Sequence, residues 1–255
     1  METKLETGVF IRMSYASGNE QRPVILVAPG WGSDILHSTT FAELSYKLNQ
    51  IGYHVCLLAP RGYLGAEGDI NKVTIDDHLF DVRCAYHWLV KDSRVDSSRI
   101  CGLGVSHGGH LLATLAGERT LDSAQLLTLL ALRAPAIYPG LDMCPEWAKP
   151  STPVAQLLTP GDNLKHWWSA VHTKDESTAL AGISNFTGKL LFILSGDDQV
   201  IPPQVALSYG EAATQATSLE CKIIPGAPHA LQGEHRSAFM DLCVAWFREN
   251  YPIPT

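Results

Sequence analysis

Short, wholly apolar runs alternate along this chain with longer segments whose apolar positions recur at helical spacing. Residues 24–28 form a β-branched run closed by Pro29-Gly30, the pattern of a central strand buried on both faces. Comparable runs at 9–15, 54–59, 99–105, 126–134, 190–194 and 219–224 read as further strands. Phe41, Leu44, Leu48 and Ile51 share one helical face, with Ser38 to Thr40 ahead as caps and Gly52 as a stop. Thr74, with Asp77 on the same first turn, opens a second helix whose face runs through Ile75, Leu79, Val82, Tyr86, Leu89 and Val90. Helices are also predicted at about 107–116, 203–213 and 237–249. Strands alternating with helices of this length predict an α/β fold, with a mostly parallel central sheet and helices on both faces.

One stretch breaks the rhythm. Residues 136–187 are rich in Pro and Trp and poor in periodicity, and a structureless loop of that length is improbable in a compact domain. The expectation is a single domain over 1–255 with a cap inserted at about 136–187, over the sheet edge where open α/β folds bind ligands.

Composition narrows the function classes. The chain has 255 residues, 45% hydrophobic and 18% charged, with a net charge of −7. A chain of this size buries enough surface to fold without disulfides or a structural metal. Mild acidity without a Lys/Arg cluster argues against nucleic acid or an anionic membrane as partner. The apolar run at 126–132 is far short of the ~20 residues that span a bilayer. The first residues carry no apolar leader, so a cytoplasmic protein is expected, its six cysteines scattered, reduced and uninvolved in chemistry.

The sharpest chemical feature is Gly104-Val105-Ser106-His107-Gly108, a G-x-S-x-G sequence between a strand and a helix. In that context the serine stands at the tip of a sharp turn, and the glycines let strand and helix approach closely. A serine hydroxyl needs an imidazole to take its proton and a carboxylate to orient that imidazole. Asp197-Asp198 directly follow the strand at 190–194, and either could serve or merely cap the next helix. His229 lies on the Gly/Pro-rich loop past the strand at 219–224. His107 and His110 share a helix turn without an acidic or thiol partner, so no metal is expected. No G-x-G-x-x-G fits a dinucleotide loop, and no cofactor is expected. Tyr138, Trp147, Trp167 and Trp168 could line an apolar pocket or simply pack the insert; His166 and His172 have no assignment.

In the order Ser106, Asp198, His229 the chain resembles the α/β-hydrolase superfamily over nearly its whole length, with serine-esterase, dienelactone-hydrolase-like and peptidase-like members. Residues 198–202 look like that family's acid motif, which favours Asp198 over Asp197, and residues 225–229 are similar to its histidine loop. The resemblance implies an oxyanion hole from the backbone N–H groups of Trp31 and His107. It gives Arg61-Gly62 only a structural turn. Many relatives have His-Gly where this chain has Pro29-Gly30. The implied function is hydrolysis of a carboxylic ester, a small-molecule acyl substrate, through an acyl-enzyme, with the cap between the sixth and seventh strands. A homodimer stays open. The alternatives are a thioesterase or acyltransferase, a short-peptide peptidase using an acid of the insert (Asp142, Glu146, Asp162, Asp175 or Glu176), and a non-catalytic binding module.

Overall fold

The computed structural model describes residues 1–119, 124, 126–140, 144–158 and 163–251. Its centre is an eight-stranded sheet: β1 (Glu2–Lys4), β2 (Phe10–Ser14), β3 (Arg22–Ala28), β4 (His54–Ala59), β5 (Val95–Val105), β6 (Leu129–Arg133), β7 (Lys189–Ser195) and β8 (Ser218–Ile224). The order is β1-β2-β4-β3-β5-β6-β7-β8, with β2 antiparallel to both β1 and β4 and the remaining pairings parallel. The mostly apolar runs are the central strands: every residue of β4 and β6 is buried, His54 and Arg133 included. The chain steps from β3 outward to β4, then returns to lay β5 on the other side of β3. That reversal opens a crevice beyond the carboxyl ends of β3 and β5.

One face of the sheet is covered by α1 (Thr39–Gln50) and α8 (Gly233–Asn250), packed on Ile25, Val27, Val55 and Leu57. The other carries α2 (Ile75–Lys91), α3 (His107–Ala116), α6 (Thr178–Asn185) and α7 (Pro203–Ala212). The local signals act as expected. Ser38 caps α1, and Gly52 follows its end at φ 91°. Thr74 and Asp77 form a reciprocal capping box on α2. Among the described residues, no helix is long and apolar enough to cross a membrane.

The elements that differ from expectation lack a local signal. β1 is a short polar edge strand held by pairing with β2. α8 starts at Gly233, ahead of the predicted 237, and its cap residue Gln232 makes no side-chain bond that would mark the start.

Residues 136–187 contain a 3-10 turn at Glu146–Ala148, α4 (Val154–Leu157), α5 (Asn163–Trp168) and α6. α6 lies directly on α3, where a Cβ on Gly182 would stand 2.2 Å from the Ala113 carbonyl oxygen. Backbone cannot give way as a flexible side chain can. Gly182→Ala is therefore expected to destabilise the protein by about 2–3 kcal/mol, read as a lower urea midpoint at unchanged slope.

Candidate active site

Three strand ends meet at the crevice. Ser106 follows β5 at φ 50°, in the left-handed region that non-glycine residues rarely occupy. The turn is held by its surroundings: the Ser106 amide donates to the Arg133 carbonyl at 3.0 Å, and the Gly108 amide to the Pro29 carbonyl at 2.9 Å. A Cβ on Gly104 would lie 2.6 Å from the Gly108 carbonyl oxygen, and one on Gly108 would lie 2.2 Å from that of Ala28. Both positions of the G-x-S-x-G sequence thus require glycine because backbone passes backbone there. Pro29 supplies the carbonyl that ties the β3 loop to α3.

The structure brings Ser106, His229 and Asp198 into one hydrogen-bonded line. His229 Nε2 lies 3.1 Å from Ser106 Oγ, and His229 Nδ1 lies 2.8 Å from Asp198 Oδ2. A carboxylate only accepts, so Nδ1 carries the proton and Nε2 offers its lone pair to the serine. Burial works to raise the Asp198 pKa, but bonds from His229 and the amides of Ile201 and Val200 outweigh it and hold the carboxyl below its usual range. Asp197 is not part of this line. Its side chain is exposed, and its amide bonds the Ala227 carbonyl.

His107 opens α3, so its amide has no carbonyl behind it within the helix. Among the described residues the Trp31 amide donates no backbone hydrogen bond either. Their side chains are held together. The Trp31 ring meets the His107 ring edge-on at 5.4 Å, and the Tyr63 hydroxyl donates to the Gly30 carbonyl at 3.1 Å.

Behind them lies a buried relay that sequence reasoning missed. His78 Nε2 is 2.9 Å from the Arg61 carbonyl oxygen, His78 Nδ1 is 2.9 Å from His107 Nε2, and His107 Nδ1 is 3.2 Å from the Tyr138 hydroxyl. The carbonyl at the end can only accept, which fixes every proton in the chain. His78 donates to Arg61, His107 to His78, and Tyr138 to His107. Burial holds His78 neutral down to about pH 4 and His107 well below its ordinary value. The signal available was a histidine on the inner side of α2, between apolar positions.

This pair makes stability depend on pH. The unfolded chain protonates His78 near its ordinary 6.5, the folded chain only near 4. Between those values the unfolded state binds more protons, so the contribution is full above pH 6.5 and is lost as the pH falls toward 4. The urea midpoint is expected to drop over that window, and His78→Phe to flatten the drop while lowering the midpoint throughout. Equal slopes for the two proteins would show that His78 is not the responsible group.

A cleft of about 520 Å³ opens over Ser106 and His229, walled by Trp31, Phe41, Tyr138, Leu158 and Trp168. Tyr138 and Trp168 therefore face the cleft, whereas Trp167 stacks on His172 at 3.6 Å and Trp147 packs against the core. His110 is buried beside Thr178. Arg61 pairs with buried Asp81 at 2.7 Å and Gly62 sits at φ 82°, a structural turn. Of the insert's acids, Glu146 pairs with Lys149, and Glu176 holds His172 and Thr173. Asp142 and Asp162 lie outside the described residues.

Comparison with known proteins gives a consistent pattern. The family model "Serine aminopeptidase, S33" matches residues 19–180. The chain is 25% identical over 252 residues to acylamino-acid-releasing enzyme 1 of Oryza sativa subsp. japonica, covering 90% of this chain and 30% of that protein. It is 28% identical over 207 residues to an uncharacterized protein of Mycobacterium tuberculosis, covering 81% and 63%. The chain thus spans under two thirds of the length of either relative. Among solved structures, Est1E of Butyrivibrio proteoclasticus with bound ferulic acid superposes with a TM-score of 0.70 at 15% identity, covering 98% of both chains. A lipase/esterase of Lactobacillus plantarum gives 0.62 at 17%, covering 98% of this chain and 97% of that one.

Proposed function

Because the chain belongs to the serine aminopeptidase, S33, family of α/β-type serine hydrolases, we propose that Ser106 is its nucleophile, with carboxylic esters as substrates. The observation that carries this is the bonded line from Ser106 through His229 to Asp198 at the floor of a largely apolar cleft. His229 Nε2 takes the Ser106 proton as Oγ attacks the acyl carbonyl, and Asp198 holds the imidazole in the required tautomer and stabilises the imidazolium. The Trp31 and His107 amides receive the oxyanion, a contribution of roughly 3 kcal/mol for each such donor. His229 then protonates the departing alkoxide. Water, deprotonated by the same nitrogen, releases the acid from Ser106 and completes the cycle.

Residues 136–187 act in this reading as a cap whose Leu158 and Trp168 shape the apolar wall. The likeness to an acylamino-acid-releasing enzyme supports a second reading, cleavage of an acylated amino acid from a peptide. An uncapped peptide amine would need an acid in the cleft, and among the described residues its lining contains no Asp or Glu. That favours esters, or acylated substrates, over free N-termini.

The test is fluorophosphonate labelling followed by a panel of 4-nitrophenyl esters, acyl-CoA thioesters and acylaminoacyl amides. Label on Ser106 with highest kcat/KM for the esters supports the proposal. An unlabelled serine removes the mechanism, and turnover of amides or thioesters above esters removes the substrate class.

A further inference from the structure

Arg133 is the one arginine among the described residues that line the cleft, and it has no acid among them within ion-pair distance. It ends β6, its carbonyl receiving the Ser106 amide at 3.0 Å. Its side chain is only 4% exposed and stands with Ser106 and His229 around the cleft. The acceptors it reaches among the described residues are both neutral: Nη2 donates to Ser195 Oγ at 2.7 Å and to the Pro228 carbonyl at 3.2 Å. Among the described residues Nε is buried with no partner. Asp198 is the negative charge that acts on it, from beyond ion-pair distance, and that carboxylate is already committed to His229, Val200 and Ile201. The contrast is Arg61, whose buried partner Asp81 lies at 2.7 Å. Desolvation pulls the Arg133 pKa down to about 10, the mark of a cation held in a poorly solvating place.

Removing a guanidinium from water costs several kcal/mol unless a matched anion repays it, and buried charges are almost always paired. Arg133 is itself one of the residues that line the cleft. We propose that Arg133 is the counter-charge for a carboxylate on the substrate, so that the esters cleaved at Ser106 are carboxylate-bearing ones. This rests on the serine-hydrolase reading above and narrows its substrate class. The planar guanidinium suits a carboxylate better than any point charge does. Trp31, Phe41, Tyr138, Leu158 and Trp168 make the wall mostly apolar, and a charge pair beside such a surface is weakened less than one in open water. A neutral substrate of the same shape leaves the cation as it stands, unpaired.

Two matched pairs of esters test this with the full chain. 4-Nitrophenyl hydrogen glutarate against its methyl ester puts the charge on the acyl side. 4-Acetoxybenzoate against methyl 4-acetoxybenzoate puts it on the leaving group. The wild type is expected to favour the charged member of one pair by about 10- to 100-fold in kcat/KM. Whichever pair shows the preference tells where the carboxylate sits. In Arg133→Met the preference collapses, and in Arg133→Lys it survives in part. Should the methionine variant fail to fold, inhibition of the wild type decides: glutarate must compete better than neutral glutaramide, or 4-hydroxybenzoate better than methyl 4-hydroxybenzoate.

Equal rates within both pairs overturn the proposal. So does a parallel fall of both members in Arg133→Met, which would leave Arg133 as a mere brace for Ser195 and Pro228. Fluorophosphonate labelling of the same wild-type preparation separates the two levels. Labelled Ser106 without charge preference sinks only this inference, and unlabelled Ser106 sinks the reading beneath it.

Discussion

Ser106→Ala lowers kcat by about 10⁶-fold and abolishes fluorophosphonate labelling, while the urea midpoint stays close to that of the wild type. The size follows from what is removed: the only atom of the turn that faces His229 Nε2, at 3.1 Å. The stability follows from what is kept. Alanine retains the Cβ, and the turn is pinned by bonds its side chain does not make, Ser106 N to the Arg133 carbonyl and the Ser106 carbonyl to Gly109 and Ala136. An alanine at φ 50° meets the same backbone cost as the serine it replaces. His229→Ala is expected to match the loss in kcat, because residues that act as one unit do not add. Labelling that survives Ser106→Ala would end the mechanism outright.

Asp198→Asn lowers kcat by about 10⁴-fold, and Asp197→Asn leaves it nearly unchanged. The carboxylate divides its labour. Oδ1 accepts from the amides of Val200 and Ile201 at 2.9 Å each, and Oδ2 faces His229 Nδ1 at 2.8 Å. An asparagine keeps its carbonyl toward the two amides, which turns its NH₂ toward Nδ1. The imidazole must then place its lone pair on Nδ1 and its proton on Nε2, the wrong tautomer for receiving a proton from Ser106. Asp197 has an exposed side chain and contributes through its amide, which asparagine retains. Steady-state rates of the two variants check the assignment, and equal losses would overturn it.

The sheet and the three strand ends were legible because each rests on local pattern. Fully apolar runs announced β3, β4 and β7, and turn residues announced the loops that carry Ser106, Asp198 and His229. The choice of Asp198 over its neighbour rests on register against a resembling family, and Asp198 is the acid that lies at hydrogen-bond distance from His229. The His78–His107–Tyr138 relay was not legible, since its members come from two helices and a loop that only tertiary packing joins. Arg133 was hidden differently. In the sequence a single charge at the end of an apolar run looks like part of the strand, although a cation at the carboxyl end of a buried strand signals either a partner or a ligand. Residues 136–187 stayed opaque because their helices are short, and α6 takes its place from the fit of Gly182 against α3 rather than from any cap.

β8 is the outermost strand, paired with β7 alone and exposed along most of its length, and it leads directly into the loop of His229. Ser106 hangs instead from β5, clasped by β3 on one side and β6 on the other. Nucleophile and base thus stand on opposite ends of a gradient in local opening energy, which falls toward the rim of a sheet. Heating or mild denaturant would peel the rim first and carry the imidazole away from a serine that has not moved. Turnover would then fade while the far-ultraviolet dichroism still reports an intact sheet, and would return on cooling as quickly as one strand can re-zip.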